Sequence, residues 1–263
     1  MICSEACSVV SRKVEGIPVL YVYMRKRAPS SKVVFLFHKL LFNKEDCLPA
    51  AYYLAKQGFY VVCLDMLGHG DRENSYDTLG KYEFNHLISD IYDTAMDVHT
   101  VINHMSLNND NALDLEDVAA VGISAGANIA LACGYLHKEI KRVASMIGVV
   151  NWDYIIEKQT LNSFHFHAST KIDYENLKRD IVRYNINSLC NYDAANGPKI
   201  SFFNGLLDTT IPLIEVKRYY KRLHSRFSEL ERQDNISFHG YPLAGHHLNI
   251  PMLSDLAEWL MKG

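Results

Sequence analysis

Gly122-Ile123-Ser124-Ala125-Gly126 follows an apolar run, Val118-Ala119-Ala120-Val121, and opens a small-residue stretch from Ala127 to Leu136. A G-x-S-x-G flanked in this way reads as a strand, a sharp turn and a helix. The turn is too tight for side chains at its outer positions, so glycine is required at both. It lifts the serine hydroxyl clear of a sheet and leaves the next backbone N–H free for an oxyanion. Such an elbow points to acyl transfer. Five residues can match by chance, so the reading needs a base and an orienting acid in the chain order Ser, Asp, His.

The size and composition leave room for that chemistry. The 263 residues suit one large α/β domain, or a domain with an inserted subdomain. Hydrophobic residues make up 48% and charged residues 22%, ordinary for a globular enzyme. A net charge of −3, from 27 basic and 30 acidic residues, gives no attraction to nucleic acid or an anionic membrane. The basic run Lys217 to Arg226 is interrupted by Tyr219, Tyr220 and Leu223 at helical spacing, and reads as the solvated face of an amphipathic helix. No apolar run approaches the ~18 residues of a membrane span. The N-terminal residues lack the pattern of a signal peptide. The six cysteines have no metal-type spacing, and Cys63 and Cys133 sit in apolar patterns. A reducing cytoplasm is the expected location.

Outward from the elbow, buried-strand patterns alternate with helical ones. Ile17 to Arg25 reads as an early antiparallel strand, and Val33-Val34-Phe35-Leu36-Phe37 as a strand buried on both faces. A helix over Leu48 to Gln57 stops at Gly58. A strand at Tyr60 to Asp65 then runs into the loop Gly68-His69-Gly70-Asp71-Arg72. Tyr82 to Met105 reads as a long amphipathic helix, Asn108 to Asn111 as a connection, and Arg142 to Val150 as a strand. Strands at Ile200 to Phe203 and Ile236 to Gly240 alternate with helices at Ile214 to Phe227 and Ser254 to Met261. The implied fold is α/β: a mostly parallel sheet with helices on both faces. The alternation breaks from 152 to 196. That aromatic-rich stretch reads as an inserted helical lid on a core made of residues 1–151 and 197–263.

Two residues complete the order that the elbow demands. Asp208 follows the strand at 200–203, and His246 follows the strand at 236–240. Both therefore lie at the carboxyl edge of the sheet with Ser124, where open α/β sheets bind ligands. A neutral imidazole can take the Ser124 proton and return it to a leaving group. A carboxylate fixes the tautomer of that imidazole. Gly245 before it favours His246 as the base; the adjacent His247 would then line the pocket or brace the loop. The N–H of Ala125 supplies one oxyanion donor. The second is expected from His38-Lys39-Leu40-Leu41, after the strand at 33–37.

These blocks together resemble the α/β-hydrolase superfamily. Within it, they are similar to small bacterial carboxylesterases related to dienelactone hydrolases, the prolyl-oligopeptidase group, and cinnamoyl and feruloyl esterases. The likeness runs through His38, Leu54-Ala55-Lys56-Gln57-Gly58-Phe59, Asp65 with Gly68-His69-Gly70, the elbow, Gly205 to Pro212, and Gly245-His246. It implies that Leu40 gives the second oxyanion donor, that His69 and Asp65 serve a structural loop, and that no metal or organic cofactor is needed. Lys39 stands where relatives have glycine. It either turns outward or meets an anionic substrate, and a loop unable to turn would lose a donor. His165 and His167 would share one face of a strand, but no acidic or cysteine partner is spaced for a metal. Trp152, Lys39 and His247 are the candidate pocket residues. The activity expected is hydrolysis of short-chain or aromatic esters, a small-molecule substrate, with amide or peptide hydrolysis and ligand binding without turnover as rivals.

Overall fold

Runs of branched and aromatic residues form the sheet, and alternating residues of each run feed two cores. The computed structural model describes residues 6–26, 31–73, 81–108, 113–148, 152–168, 170–184 and 196–262. Its strands are β1 (Cys7–Val14), β2 (Ile17–Met24), β3 (Ser31–Phe37), β4 (Tyr60–Leu64), β5 (Leu113–Ile123), β6 (Ile140–Met146), β7 (Lys199–Gly205) and β8 (Ile236–Tyr241). Their spatial order is β1-β2-β4-β3-β5-β6-β7-β8. The β1–β2 and β2–β4 pairs are antiparallel and the remaining pairs parallel. This is the α/β-hydrolase fold that the sequence predicts.

The helices are α1 (Leu48–Lys56), α2 (Leu87–Leu107), α3 (Gly126–Leu136), α4 (Trp152–Glu157), α5 (Tyr174–Arg183), α6 (Leu213–Glu229) and α7 (Ile250–Met261). Successive residues of a strand face opposite sides of the sheet. Val33, Phe35 and Phe37 join one core with residues of α2, α3 and α6. Val34 and Leu36 join the other with α1 and α7. The run at 33–37 lacks polar alternation for this reason: both of its faces are covered.

Strand β1 has no counterpart in the sequence reading. It is a half-exposed edge whose serines, Arg12 and Lys13 mask the period of a strand. The hairpin to β2 turns through Glu15 and Gly16, both with positive φ (48° and 85°), as a two-residue turn of this kind requires. The long helix begins at Leu87, not at Tyr82. Tyr82 pairs instead with Ala168 in an isolated bridge, and Glu83 caps a short 3-10 turn over Phe84–His86. The strand expected up to Val150 ends at Met146. Residues 109–111 of the expected connection and 185–195 of the expected insertion lie outside the described residues.

Between β6 and β7, the described regular segments are α4, a 3-10 segment over Thr160–His167, and α5. His165 and His167 thus lie in a 3-10 segment, where the two-residue period of a strand does not apply. Asn85, just before α2, anchors this region. It accepts the backbone N–H of Asp173 (2.7 Å) and donates to Thr170 (3.2 Å), while its carbonyl accepts from Asn176 (3.2 Å).

In the first turn of α2, the buried carboxylate of Asp90 accepts from the Tyr82 hydroxyl at 2.6 Å. Burial raises its pKa from 3.8 to about 6, against the lowering effect of that bond. The folded chain then holds a proton that the unfolded chain releases, so stability falls as pH rises through this window. Asp90→Asn is expected to flatten that slope in urea denaturation between about pH 4 and 6. A slope identical to the wild type contradicts the assignment.

Candidate active site

Parallel register brings the ends of β3, β4, β5, β6 and β7 to one edge. Phe37 lies beside both Leu64 and Gly122, Ile123 beside Met146, and Met146 beside Phe203. The chain turns sharply at Ser124, whose φ of 55° is left-handed and disfavoured for a residue with a side chain. A Cβ on Gly122 would run into the Gly126 carbonyl, and one on Gly126 would lie 2.6 Å from the carbonyl oxygens of Phe37 and His38. Only hydrogen fits at either place. The N–H of Ser124 is held by the Met146 carbonyl (2.9 Å), and α3 starts immediately after the turn. The elbow is the one the sequence predicts.

Ser124, His246 and Asp208 meet in one line. Ser124 Oγ lies 2.9 Å from His246 Nε2, and His246 Nδ1 lies 2.8 Å from Asp208 Oδ2. The carboxylate accepts, so Nδ1 carries the hydrogen and Nε2 is free to accept from the serine hydroxyl. Asp208 is itself fixed: its Oδ1 accepts the backbone N–H groups of Thr210 and Ile211, both at 2.9 Å. Its side chain is 1% exposed, against 20% for that of His246. The acid is enclosed and the imidazole reaches solvent. The two loops carrying them are joined by the Leu207 N–H to the Ala244 carbonyl (2.9 Å), and a Cβ on Gly205 would strike the Ala244 carbonyl. His247 is exposed and bonds to neither Ser124 nor Asp208 among the described contacts.

The loop after β3 faces the elbow through the close approach of Gly126. The Phe42 N–H donates to the Lys39 carbonyl (3.2 Å), closing a turn with Leu40 and Leu41 at its centre. The left-handed residue of this turn is Leu41 (φ 65°), not Lys39. Lysine in place of glycine therefore demands no unusual backbone. Its ammonium sits 3.9 Å from the centroid of the Phe42 ring. The N–H groups of Leu40 and Ala125 have no acceptor in the described backbone pairings outside regular elements.

Two buried histidines brace this turn. His38 Nδ1 donates to the Lys39 carbonyl (2.7 Å), and its Nε2 accepts the Met66 N–H (2.9 Å). His69 Nδ1 donates to the Leu67 carbonyl (3.1 Å), and its Nε2 accepts the Leu41 N–H (3.0 Å). Burial lowers the pKa of His38; burial and the neighbouring His38 bring His69 down to about 4. Both rings are neutral at neutral pH.

Beneath them, the Lys44 ammonium is 1% exposed and lies 2.8 Å from both Asp65 and Asp71. Asp65 is fully buried and also accepts the N–H groups of Lys44 (2.7 Å) and Asp71 (3.1 Å). The loop role expected of Asp65 is thus visible in its bonds. The lysine that neutralises it carries no motif and was not legible in the sequence. Trp152 is buried at the start of α4, where its indole N–H donates to Asn128 of α3 (3.1 Å). It ties the region after β6 to the helix that follows the elbow.

Comparison with known proteins agrees with this architecture. A family model described as serine aminopeptidase, S33, matches residues 28–164. The Bacillus subtilis (strain 168) protein named "Putative esterase YitV" is 22% identical over 255 residues, covering 95% of this chain and 97% of its own. The Pyrococcus furiosus esterase Pf2001 superimposes with a TM-score of 0.65 at 17% identity, over 98% of this chain and 92% of that one. Acetyl xylan esterase 1 from Thermoanaerobacterium sp. JW/SL YS485 gives a TM-score of 0.63 at 22% identity, over 99% of this chain and 84% of that one.

Removing Lys44 leaves the Asp65 charge buried without a counter-ion. Lys44→Met is expected to destabilise the fold by about 3–5 kcal/mol, read as a lower urea midpoint. A midpoint within ~0.5 kcal/mol of the wild type contradicts the role given to this pair.

Proposed function

The chain belongs to the family described as serine aminopeptidase, S33, and from the geometry of its site we propose that it is a serine carboxylesterase. The observation that carries the reading is the unbroken line from Ser124 Oγ through His246 to Asp208, at 2.9 and 2.8 Å. Ser124 attacks the ester carbonyl while His246 Nε2 takes its proton. Asp208 holds the imidazole in the required tautomer and stabilises the imidazolium. The tetrahedral oxyanion settles between the N–H groups of Leu40 and Ala125. His246 then protonates the departing alcohol, leaving an acyl group on Ser124. Water enters, His246 removes its proton, and the acid is released as Ser124 recovers its hydrogen.

The substrate class is short-chain or aromatic esters. Names of similar proteins that act on esters support the reaction type. The aromatic residues of 152–196 support a modest apolar pocket. In this reading that segment is a lid over a core of residues 1–151 and 197–263. In the same reading Lys39, Trp152 and His247 line that pocket. Hydrolysis of an amino-terminal peptide bond is the second reading, and the description of the matched family favours it.

A panel of p-nitrophenyl esters and amino-acid p-nitroanilides separates the two. The wild type is expected to hydrolyse acetyl to butyryl esters faster than any anilide. Ser124→Ala should abolish this turnover, and Asp208→Asn should lower kcat by about 10⁴-fold with the fold intact. Ester turnover equal in wild type and Ser124→Ala contradicts the proposal; faster anilide cleavage transfers it to the second reading.

A further inference from the structure

We propose that His69, together with His38, is a positioning residue that aims the Leu40 N–H at the oxyanion, working from a loop remote from the nucleophile. The inference rests on the esterase reading above and adds to it the part that orients one donor. A peptide unit is planar, with its C=O and N–H pointing in opposite directions. The Lys39 carbonyl and the Leu40 N–H belong to one such plane. His38 Nδ1 grips that carbonyl at 2.7 Å from one side, so the Leu40 N–H is turned to the other. The next plane, from Leu40 to Leu41, is set by His69, whose Nε2 accepts the Leu41 N–H at 3.0 Å.

Those two bonds hold a conformation that the chain does not favour. Leu41 has a φ of 65° at the third position of a turn, where glycine is the usual residue. Leucine there carries a local steric cost, and without an acceptor for its N–H the turn can relax into a right-handed form. Such a relaxation turns over the Leu40–Leu41 plane and shifts the Leu40 backbone that carries the donor.

The rings can do this only in one tautomer. Each Nδ1 faces a carbonyl oxygen, which accepts, and each Nε2 faces a backbone N–H, which donates. Packing keeps them there: the His69 ring lies 5.4 Å from that of His38 and 4.4 Å from that of Tyr82. Tyr82 in turn donates its backbone N–H to the His167 carbonyl at 2.9 Å, so the region between β6 and β7 braces the same ring.

The test compares wild type, His69→Ala and His69→Gln on p-nitrophenyl acetate, with active-site concentration fixed by titration. The affinity of an alkyl trifluoromethyl ketone, which forms an oxyanion on the nucleophilic serine, is measured beside it. In His69→Ala, kcat and ketone affinity should both fall roughly 10- to 100-fold while KM stays within about twofold. His69→Gln, whose amide can accept the Leu41 N–H, should recover most of both. Unchanged kcat per active site overturns the inference. So does a loss in which KM rises alone, or one in which ketone affinity does not follow kcat. If His69→Ala fails to fold, His69→Leu, which fills the space without an acceptor, takes its place: the same paired loss of kcat and ketone affinity supports the role, and their retention removes it. A wild type with no Ser124-dependent ester turnover overturns the esterase reading, and this inference with it. That outcome is distinct from an active wild type insensitive to His69.

Discussion

Everything at the site depends on a steric constraint at one turn. Ser124 holds a left-handed backbone between two glycines that admit no Cβ, because Gly122 abuts Gly126 and Gly126 abuts the carbonyls of Phe37 and His38. That crowding brings the loop after β3 against the start of α3. It therefore sets how closely the loop after β3 approaches the elbow as well as the exposure of the hydroxyl. Strain in a single residue is tolerable because the sheet fixes both sides of it: Ser124 bonds to the Met146 carbonyl, and β5 is paired on both edges.

A second layer of interactions keeps the neighbouring loops from moving. The chain after β3 and the chain after β4 share the Lys44–Asp65 ion pair and the bonds of His38 and His69. Both imidazoles are buried and neutral, so each serves as a directional donor and acceptor rather than as a charge. On the opposite side, the loops bearing Asp208 and His246 are joined through the Ala244 carbonyl. Buried polar groups of this kind are costly if one partner is lost, which makes the geometry all-or-none.

Much of this was legible in the residues. The buried strands at 33–37 and 60–64 have no polar alternation, and the elbow carries its glycines at the two places where a Cβ cannot fit. The order Ser124, Asp208, His246 places three reactive groups on one edge because parallel strands end there. Other features were hidden for physical reasons. Strand β1 is an edge whose polar residues blur its period. Tyr82 and Phe84 continue a helical pattern, yet Tyr82 is drawn out of it by Ala168 and by the Asp90 carboxylate. Lys44 looks like a surface lysine until Asp65 is found beside it. No spacing reveals one feature of the turn after Lys39: its positive φ falls on Leu41.

The central claim is that Ser124 is an activated nucleophile beside a formed oxyanion hole. A fluorophosphonate probe tests it without knowledge of the natural ester, with the modified peptide located by mass spectrometry. The account predicts stoichiometric labelling at Ser124 alone, lost in His246→Ala. A chain that remains unlabelled, or one labelled elsewhere with Ser124 intact, contradicts it.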